Sequence, residues 1–297
     1  MDATEAVERR LVSIVIPTRG GDTIAACLES ISRLDYQPFE VLICVDHAEA
    51  VAIALAARYA AHDDRMRVID CNGKNRGASA TRNVGIGEAR GEIIFFTDDD
   101  VVVPPEWISR GLPYFSDPGV VGIEGKLVYV SDDHRQGLGD RVVENITGGL
   151  YMTANAAYRR SALIANGLFD ETMLHYQDRE LAFRMSRSGQ IVYATDCVCH
   201  HQHVTYTAKA YLREAENVQY RIMVMKKTGD RAQIYGRVYS PDKLIATLLP
   251  PVILWRLRTH RVSSRSDWMC FLLMYPRLWY ERVLLWQWAA RLRFFVL

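Results

Sequence analysis

The sequence predicts an α/β protein: a mainly parallel sheet flanked by helices, then a more mixed region, then a helical C-terminal tail. Three observations carry this. Short apolar runs rich in β-branched residues alternate with helical segments over residues 11–97, the pattern of βαβ units. Three of those runs stop at polar groups, namely Pro17-Thr18, Asp46 and Asp98-Asp99-Asp100. Beyond Pro241 the composition changes.

The elements follow in order. Leu11–Ile16 reads as a buried strand, because it is apolar, β-branched and closed by Pro17. Asp22 is placed to cap a helix running to about Leu34, with Ile24, Leu28, Ile31 and Leu34 on one face. Val41–Val45 is a second strand, Ala-rich Glu49–His62 a helix and Arg67–Ile69 a third strand. Gly77–Ala89 reads as a helix that Gly85 and Gly87 weaken. Glu92–Thr97 is a fourth strand running into the three aspartates. Val120–Val130 and Gly149–Tyr158 read as strands of the mixed region. Asp178–Ser188 is a helix closed by Gly189, Ile191–Ala194 a strand, and Tyr206–Lys227 a long polar helix. No internal repeat is present, and the expected domains are 1–240 and 241–297.

At 297 residues, with 49% apolar and 24% charged residues, the chain can bury a sizeable core. That balance excludes wholesale disorder and collagen-like or low-complexity scaffolds. Six scattered cysteines are too few for a disulfide framework. The polar start MDATEAVERR predicts no secretory signal. No run reaches the roughly 18 apolar residues of a spanning helix.

The net charge of +1 hides an asymmetry. Residues 240–297 carry eight Arg and one Lys against three acids, a net +6, and five of the six tryptophans. The remainder is acidic, at −5. The tail's apolar blocks, Leu244–Trp255, Trp268–Tyr275 and Val283–Ala290, are broken by Pro250-Pro251, Pro276, Arg277, Glu281 and Arg282. Interleaved Trp, Tyr and Arg suit an interfacial helix on an anionic membrane surface. The same aromatics also suit packing on the main domain or an oligomer interface. A nucleic-acid partner is not expected, since the body is acidic and no binding motif is present.

In an open α/β sheet, ligands bind outside the carboxyl ends of the strands. Three adjacent carboxylates repel one another unless a cation or ordered donors compensate. Hard oxygen ligands of this kind suit Mg²⁺ or Mn²⁺, completed by substrate phosphates and water. A free-standing DDD is most often a solvated turn, but a buried strand delivers this one to the ligand edge. Asp178 and Glu180 open a helix, where the dipole favours negative charge. The Cys197–His203 run lacks the paired spacing of a zinc site, although one imidazole in it suits a phosphate or a bound metal. Arg82, in NRGASATRNVG, is a cation near the sheet edge; neither a Rossmann fingerprint nor a Walker loop is present.

Together these segments resemble the inverting glycosyltransferases of family 2, which have the GT-A fold. The motifs are SIVIPTRG (13–20), FEVLICVD (39–46), NRGASATRNVGI (75–86), EIIFFTDDDVVVPPEWI (92–108), GGLYMTANAAYRRSALIANGLFDE (148–171) and QDRELAFRMSRSGQIVYATDCVCHH (177–201). They cover about two-thirds of the chain, in the family's order.

The resemblance implies that Pro17, Thr18 and Asp46 line the nucleotide base pocket and that Arg82 helps hold the nucleotide. Asp98, Asp99 and Asp100 would be the DxD-type site, touching ribose and, through Mn²⁺ or Mg²⁺ on Asp98 and Asp100, the diphosphate. His200 would approach that metal or the diphosphate, and Asp178 would be the general base. Gly149, Ala154 and Asn155, with Gly148, would face donor sugar or acceptor. The pattern is broken at Val45-Asp46-His47-Ala48, at Arg19-Gly20 and at Gln177, where paired acids, an aromatic-Asn pair and an acid are usual.

The implied reaction is metal-assisted departure of a nucleotide diphosphate, UDP being the commoner donor in the family, with Asp178 deprotonating a hydroxyl of a saccharide or lipid-linked acceptor. Attack opposite the leaving group inverts the anomeric centre. The setting implied is polysaccharide or glycolipid assembly, in the cytoplasm or peripheral on the inner face of the membrane. Two other readings compete. A sugar-nucleotide nucleotidyltransferase would carry a Gly-rich basic loop after the first strand, faintly echoed by Thr18-Arg19-Gly20-Gly21, but would leave Asp178 without a task. A non-catalytic assembly subunit would bind nucleotide without turnover.

Overall fold

The computed structural model describes residues 10–46, 50–71, 77–129, 136–229 and 260–293, with the side chains of 50–52 excepted. Two compact units emerge, one from residues 1–129 and 143–202, the other from 130–142 and 203–297. The second unit therefore begins before the change of composition at Pro241.

The first unit holds strands β1 (Val12–Thr18), β2 (Phe39–Val45), β3 (Met66–Asp70), β4 (Ile93–Phe96), β5 (Val101–Val102), β6 (Val120–Tyr129), β7 (Ala156–Arg159) and β8 (Gln190–His201). They form one eight-stranded sheet in the order β3-β2-β1-β4-β7-β6-β8-β5. The β3-β2-β1-β4 half is parallel, as the alternation predicts. β7 then runs antiparallel to both β4 and β6, while β6 and β8 are parallel again. Helices α1 (Ile24–Ser32), α2 (Ala50–His62) and α3 (Ala78–Glu88) connect the parallel strands; α4 (Trp107–Gly111), α5 (Arg160–Ala165) and α6 (Gln177–Met185) belong to the second half.

Parallel strands buried on both faces read as continuous apolar runs. β2 is buried at all seven positions and β4 at all four. Two apolar clusters result. One holds Ile14, Ile16, Leu28, Phe95 and Trp107, and the other Val15, Leu42, Phe96, Tyr158 and Leu181. Each large side chain so buried stabilises the fold by roughly 1.5–3 kcal/mol. Gly85, expected to weaken α3, is required there, since a Cβ would lie 2.5 Å from Val15. Pro17 is tolerated in a central strand because pairing with β4 ends at Val15, leaving no ladder bond to lose on that side.

Several expectations are corrected. Asp22 does not cap α1, whose N-cap is Thr23 with no side-chain cap bond. Residues 149–155 are loop and a 3₁₀ turn rather than strand, and β7 is confined to Ala156–Arg159. The expected short strand at 191–194 runs on to His201, because alternation buries Cys197, Cys199 and His201 in an otherwise polar run.

In the second unit, the expected helix over 206–227 breaks into α7 (Ala208–Arg213), a 3₁₀ turn (Glu214–Asn217) and α8 (Val218–Thr228). The apolar blocks at 268–275 and 283–290 fuse into one 27-residue helix, α9 (Arg265–Arg291), which continues through Pro276. Its N-terminus carries a capping box between Ser264 and Asp267. The block at 244–255 lies outside the described residues. No helix among the described residues is long and apolar enough to cross a membrane.

Candidate active site

The carboxyl ends of β1, β2 and β4 supply the first groups. Thr18 closes β1, and its Oγ1 donates to Asp99 Oδ2 at 2.5 Å while accepting from the Gly20 N–H. Asp46, one residue past β2, is buried; its Oδ2 accepts from the Gly77 N–H at 3.1 Å and lies 3.6 Å from Arg19 Nη2. Gly77 starts α3 with φ +86°, a left-handed conformation that favours glycine. Asn75 and Arg76, in the same motif, lie outside the described residues.

Beyond β4 the chain turns tightly, the Val101 N–H returning to the Asp98 carbonyl. The turn presents three carboxylates, each with a different protein partner. Asp98 Oδ1 accepts from Arg82 Nη2 at 2.5 Å, Asp99 bonds Thr18, and Asp100 Oδ2 lies 3.3 Å from His201 Nε2. Burial is the main cause that pushes Asp99 up to about 6; Thr18 opposes the shift, and Asp100 and Asp98 add to it. Clustered hard oxygens of this kind fit Mg²⁺ or Mn²⁺. Among the described residues, no three His, Cys, Asp or Glu side chains are arranged to hold a cation alone. The remaining ligands would therefore come from a bound molecule.

Arg82 projects from α3 and is only 3% exposed. One guanidinium nitrogen is committed to Asp98, whereas Nε and Nη1 are buried without a hydrogen-bond partner. Unsatisfied buried donors of a fixed cation are costly unless an anion takes them.

Asp178 is the second residue of α6, whose N-cap Tyr176 adopts a left-handed φ of +60°. Its Oδ1 accepts from the Arg179 N–H at 2.8 Å. Burial pushes its carboxyl up to about 6, opposed by that amide and by the charges of Arg179 and Arg82, with Asp98 adding to the rise. Asp178, Arg82 and Asp98, from three separate segments, thus share one electrostatic neighbourhood. The buried Tyr158 phenol belongs to it: burial first, then the charges of Asp178 and Glu124, drive its pKa far up, and its hydroxyl has no partner.

Two histidines end β8 on opposite sides. His200 is exposed, and His201 is the buried one beside Asp100. Ala154 is buried, its carbonyl accepting from Thr97. Asn155 is buried too: its Oδ1 accepts from Trp107 Nε1, and its Nδ2 donates to the Lys126 and Cys197 carbonyls, all at 2.9 Å.

Sequence reasoning passed over Glu124, in the middle of β6. It is buried, its Oε1 accepting from the Gly149 N–H at 2.6 Å and its Oε2 from the Tyr151 N–H at 2.8 Å and Asn145 Nδ2 at 3.0 Å. These bonds hold a loop in which Gly148, Gly149 and Tyr151 all have positive φ, and so explain why 149–155 is not a strand. The available signal was a lone acid inside the apolar strand GIEGKL. Glu124→Gln puts an NH₂ where a carboxylate oxygen now accepts. It is expected to cost about 1–3 kcal/mol of stability, the penalty for an unsatisfied buried group, measurable by urea unfolding. Unchanged stability would remove Glu124 as the anchor of the loop.

A parallel half-sheet carrying acids at its carboxyl edge, joined to a mixed half that supplies a further buried acid, is the architecture of a GT-A fold. The sequence profile of glycosyl transferase family 2 matches residues 13–165, and the chain belongs to that family. It is similar to the putative glycosyltransferase EpsH of Bacillus subtilis, at 28% identity over 195 residues, 60% of this chain and 56% of that protein. The chain thus spans little more than half of that relative. The mannosyltransferase PcManGT of Pyrobaculum calidifontis, solved with GDP-Man and Mn²⁺, shares its fold with a TM-score of 0.64 at 16% identity, over 93% of this chain and 86% of that one. S. aureus TarS 1–349, solved with UDP-GlcNAc, does so with a TM-score of 0.56 at 15% identity, over 96% of this chain and 93% of that one.

Proposed function

We propose that this chain is an inverting glycosyltransferase that moves a sugar from a nucleotide-diphosphate donor to a hydroxyl of a saccharide or lipid-linked acceptor. UDP is the proposed nucleotide, although the structural relatives include proteins solved with UDP-GlcNAc and with GDP-Man. One observation carries the reading. The half-buried Asp178 carboxyl feels the charges of Arg82, whose Nε and Nη1 are unsatisfied donors, and of Asp98 at the head of the DDD turn.

In this mechanism Pro17, Thr18 and Asp46 line the base and ribose side. Arg82 donates its two unpartnered N–H groups to the diphosphate while Asp98 fixes the guanidinium plane. Asp98 and Asp100 would hold Mn²⁺ or Mg²⁺, with Asp99 toward the ribose; the imidazole beside Asp100 is that of His201, and the expected His200 lies on the other side of β8. The ion, when bound, offsets charge growing on the departing diphosphate. Asp178 takes the proton of the acceptor hydroxyl as it attacks from the opposite face. The loop at Gly149, with Ala154 and Asn155 behind it, borders the donor sugar and acceptor. The basic tail would keep the enzyme peripheral on the cytoplasmic side of an anionic membrane.

A thermal-shift screen of UDP, GDP and their sugars, with and without Mn²⁺, tests the donor class. A ligand at a hundredfold its Kd adds about 2.7 kcal/mol, a rise of roughly 5–10 °C for a domain of this size. If no nucleotide diphosphate raises the melting temperature, the donor assignment fails. Release of the nucleotide diphosphate on adding acceptor supports transfer, whereas pyrophosphate exchange would favour a nucleotidyltransferase.

A further inference from the structure

An ordinary surface helix turns its apolar stripe inward and its charges outward; α9 buries Cys270, Leu285 and Ala289 but turns its charges inward with them. Its charges lie against the second unit. Arg277 Nη2 bonds Glu214 Oε2 at 2.9 Å and stacks 4.3 Å over the Tyr211 ring, Glu281 pairs with Arg221 at 3.1 Å, and Arg282 is buried. The outward face is apolar: Trp268 is 52% exposed, Leu272 71% and Trp286 49%, with Pro276, Trp279, Tyr280 and Val283 exposed between them. At 3.6 residues per turn, positions 268, 272, 276, 279, 283 and 286 fall within an arc of about 80° and along about 27 Å. Between Arg265 at one end and Arg291 at the other, both exposed, no charged residue of the helix is exposed.

We propose that this face of α9 lies in the headgroup layer of an anionic bilayer, with Trp268, Leu272, Trp279, Val283 and Trp286 entering the acyl boundary. The inference deepens the membrane reading above and is independent of glycosyl transfer. Three tryptophans and a tyrosine on one face are the side chains that settle at a membrane–water interface. Arg265 and Arg291 flank them where guanidinium groups meet lipid phosphates. Pro276 leaves the Leu272 carbonyl without its helical partner on that face, which the hydrated headgroup level tolerates and a bilayer core does not. Charge favours anionic lipid over a second copy as the occupant: the exposed Arg265, Arg291 and Arg293 border the face, and the 240–297 segment is net +6.

The test is co-sedimentation of the full chain with vesicles of 30% phosphatidylglycerol in phosphatidylcholine, and with phosphatidylcholine alone. Wild type is expected to pellet with the anionic vesicles. The combined variant W268S/W279S/W286S, whose changes are on exposed positions, is expected to lose at least tenfold in partitioning while keeping its circular dichroism melt and its nucleotide-diphosphate release with a soluble acceptor. Wild type remaining in solution overturns both the face and the membrane reading. A variant that pellets like wild type overturns the face alone. A wild-type dimer that the substitutions dissociate, with no vesicle binding, assigns the face to a second copy. Loss of product formation by wild type overturns the catalytic reading and leaves the lipid result standing.

Discussion

Replacing Asp178 by Asn is expected to leave nucleotide binding intact and to cut sugar transfer by about 10²–10⁴-fold, the usual contribution of a positioned general base. The substitution keeps the shape and removes only the ability to accept a proton. Asp178 is a credible base at neutral pH because burial lifts its carboxyl to about 6. Wild-type turnover should therefore rise with pH through about 6 and level off above it, and the residual activity of the variant should lack that limb.

The same shift makes a stability prediction of known sign. A carboxyl whose folded pKa lies above its unfolded value binds its proton more tightly in the folded state. The contribution of Asp178 to stability is therefore greatest below about 4 and declines as pH rises to about 6. Asp178→Asn should lose that decline and melt no lower than wild type at pH 7.5. Steady-state kinetics and a pH series of thermal melts check both statements. Wild-type turnover in the variant would remove Asp178 from the mechanism.

Arg82→Met is expected to weaken binding of the donor nucleotide by about 10²-fold. Hydrogen bonds to charged groups are worth about 1.5–3 kcal/mol each, and tenfold in affinity is about 1.4 kcal/mol. Two such bonds, partly offset by water entering the variant site, give that magnitude. Arg82→Lys keeps the charge but loses the planar fork and should fall between the two, near tenfold. Asp98, the present partner of Arg82, is partly exposed, so its carboxylate can be hydrated and both variants should fold. Calorimetric titration with the nucleotide diphosphate is the measurement. Affinity equal to wild type in Arg82→Met would mean that the two unpartnered nitrogens do not face the diphosphate.

The parallel half of the sheet was legible because burial on two faces writes itself into consecutive residues, as in LICV and IIFF. Elements whose pattern depends on distant partners were not. The segment at 149–155 leads directly into the strand at 156–159, but Glu124 takes up the Gly149 and Tyr151 amides. Strand β8 extends past Ala194 through a polar run, Thr195, Asp196, His200 and His201, whose far end is held by pairing with Val101 and Val102. Pro276 suggests a break in the tail, yet α9 continues, its inward side held by buried Cys270 before the proline, by buried Arg282, Leu285 and Ala289 after it, and by the Arg277–Glu214 and Glu281–Arg221 pairs. At the site, the aspartates after β4 could be singled out because a buried strand leads into them. His201 and Tyr158 could not, and Glu124 only as a lone acid in an apolar run, since nothing local distinguishes a functional buried polar group from a structural one.

By itself the sequence determined the alternation of strands and helices, the delivery of Thr18, Asp46 and the three aspartates to one sheet edge, the family, and the separate character of the basic tail. These are consequences of local periodicity and composition. Only the tertiary structure decided that Arg82 keeps two donors unpaired, that Asp178 shares its surroundings with Asp98, that His201 rather than His200 touches Asp100, and that α9 turns its tryptophans outward. Each depends on the desolvation and pairing of groups far apart in the chain, and those are set by the strand order rather than by neighbours in sequence.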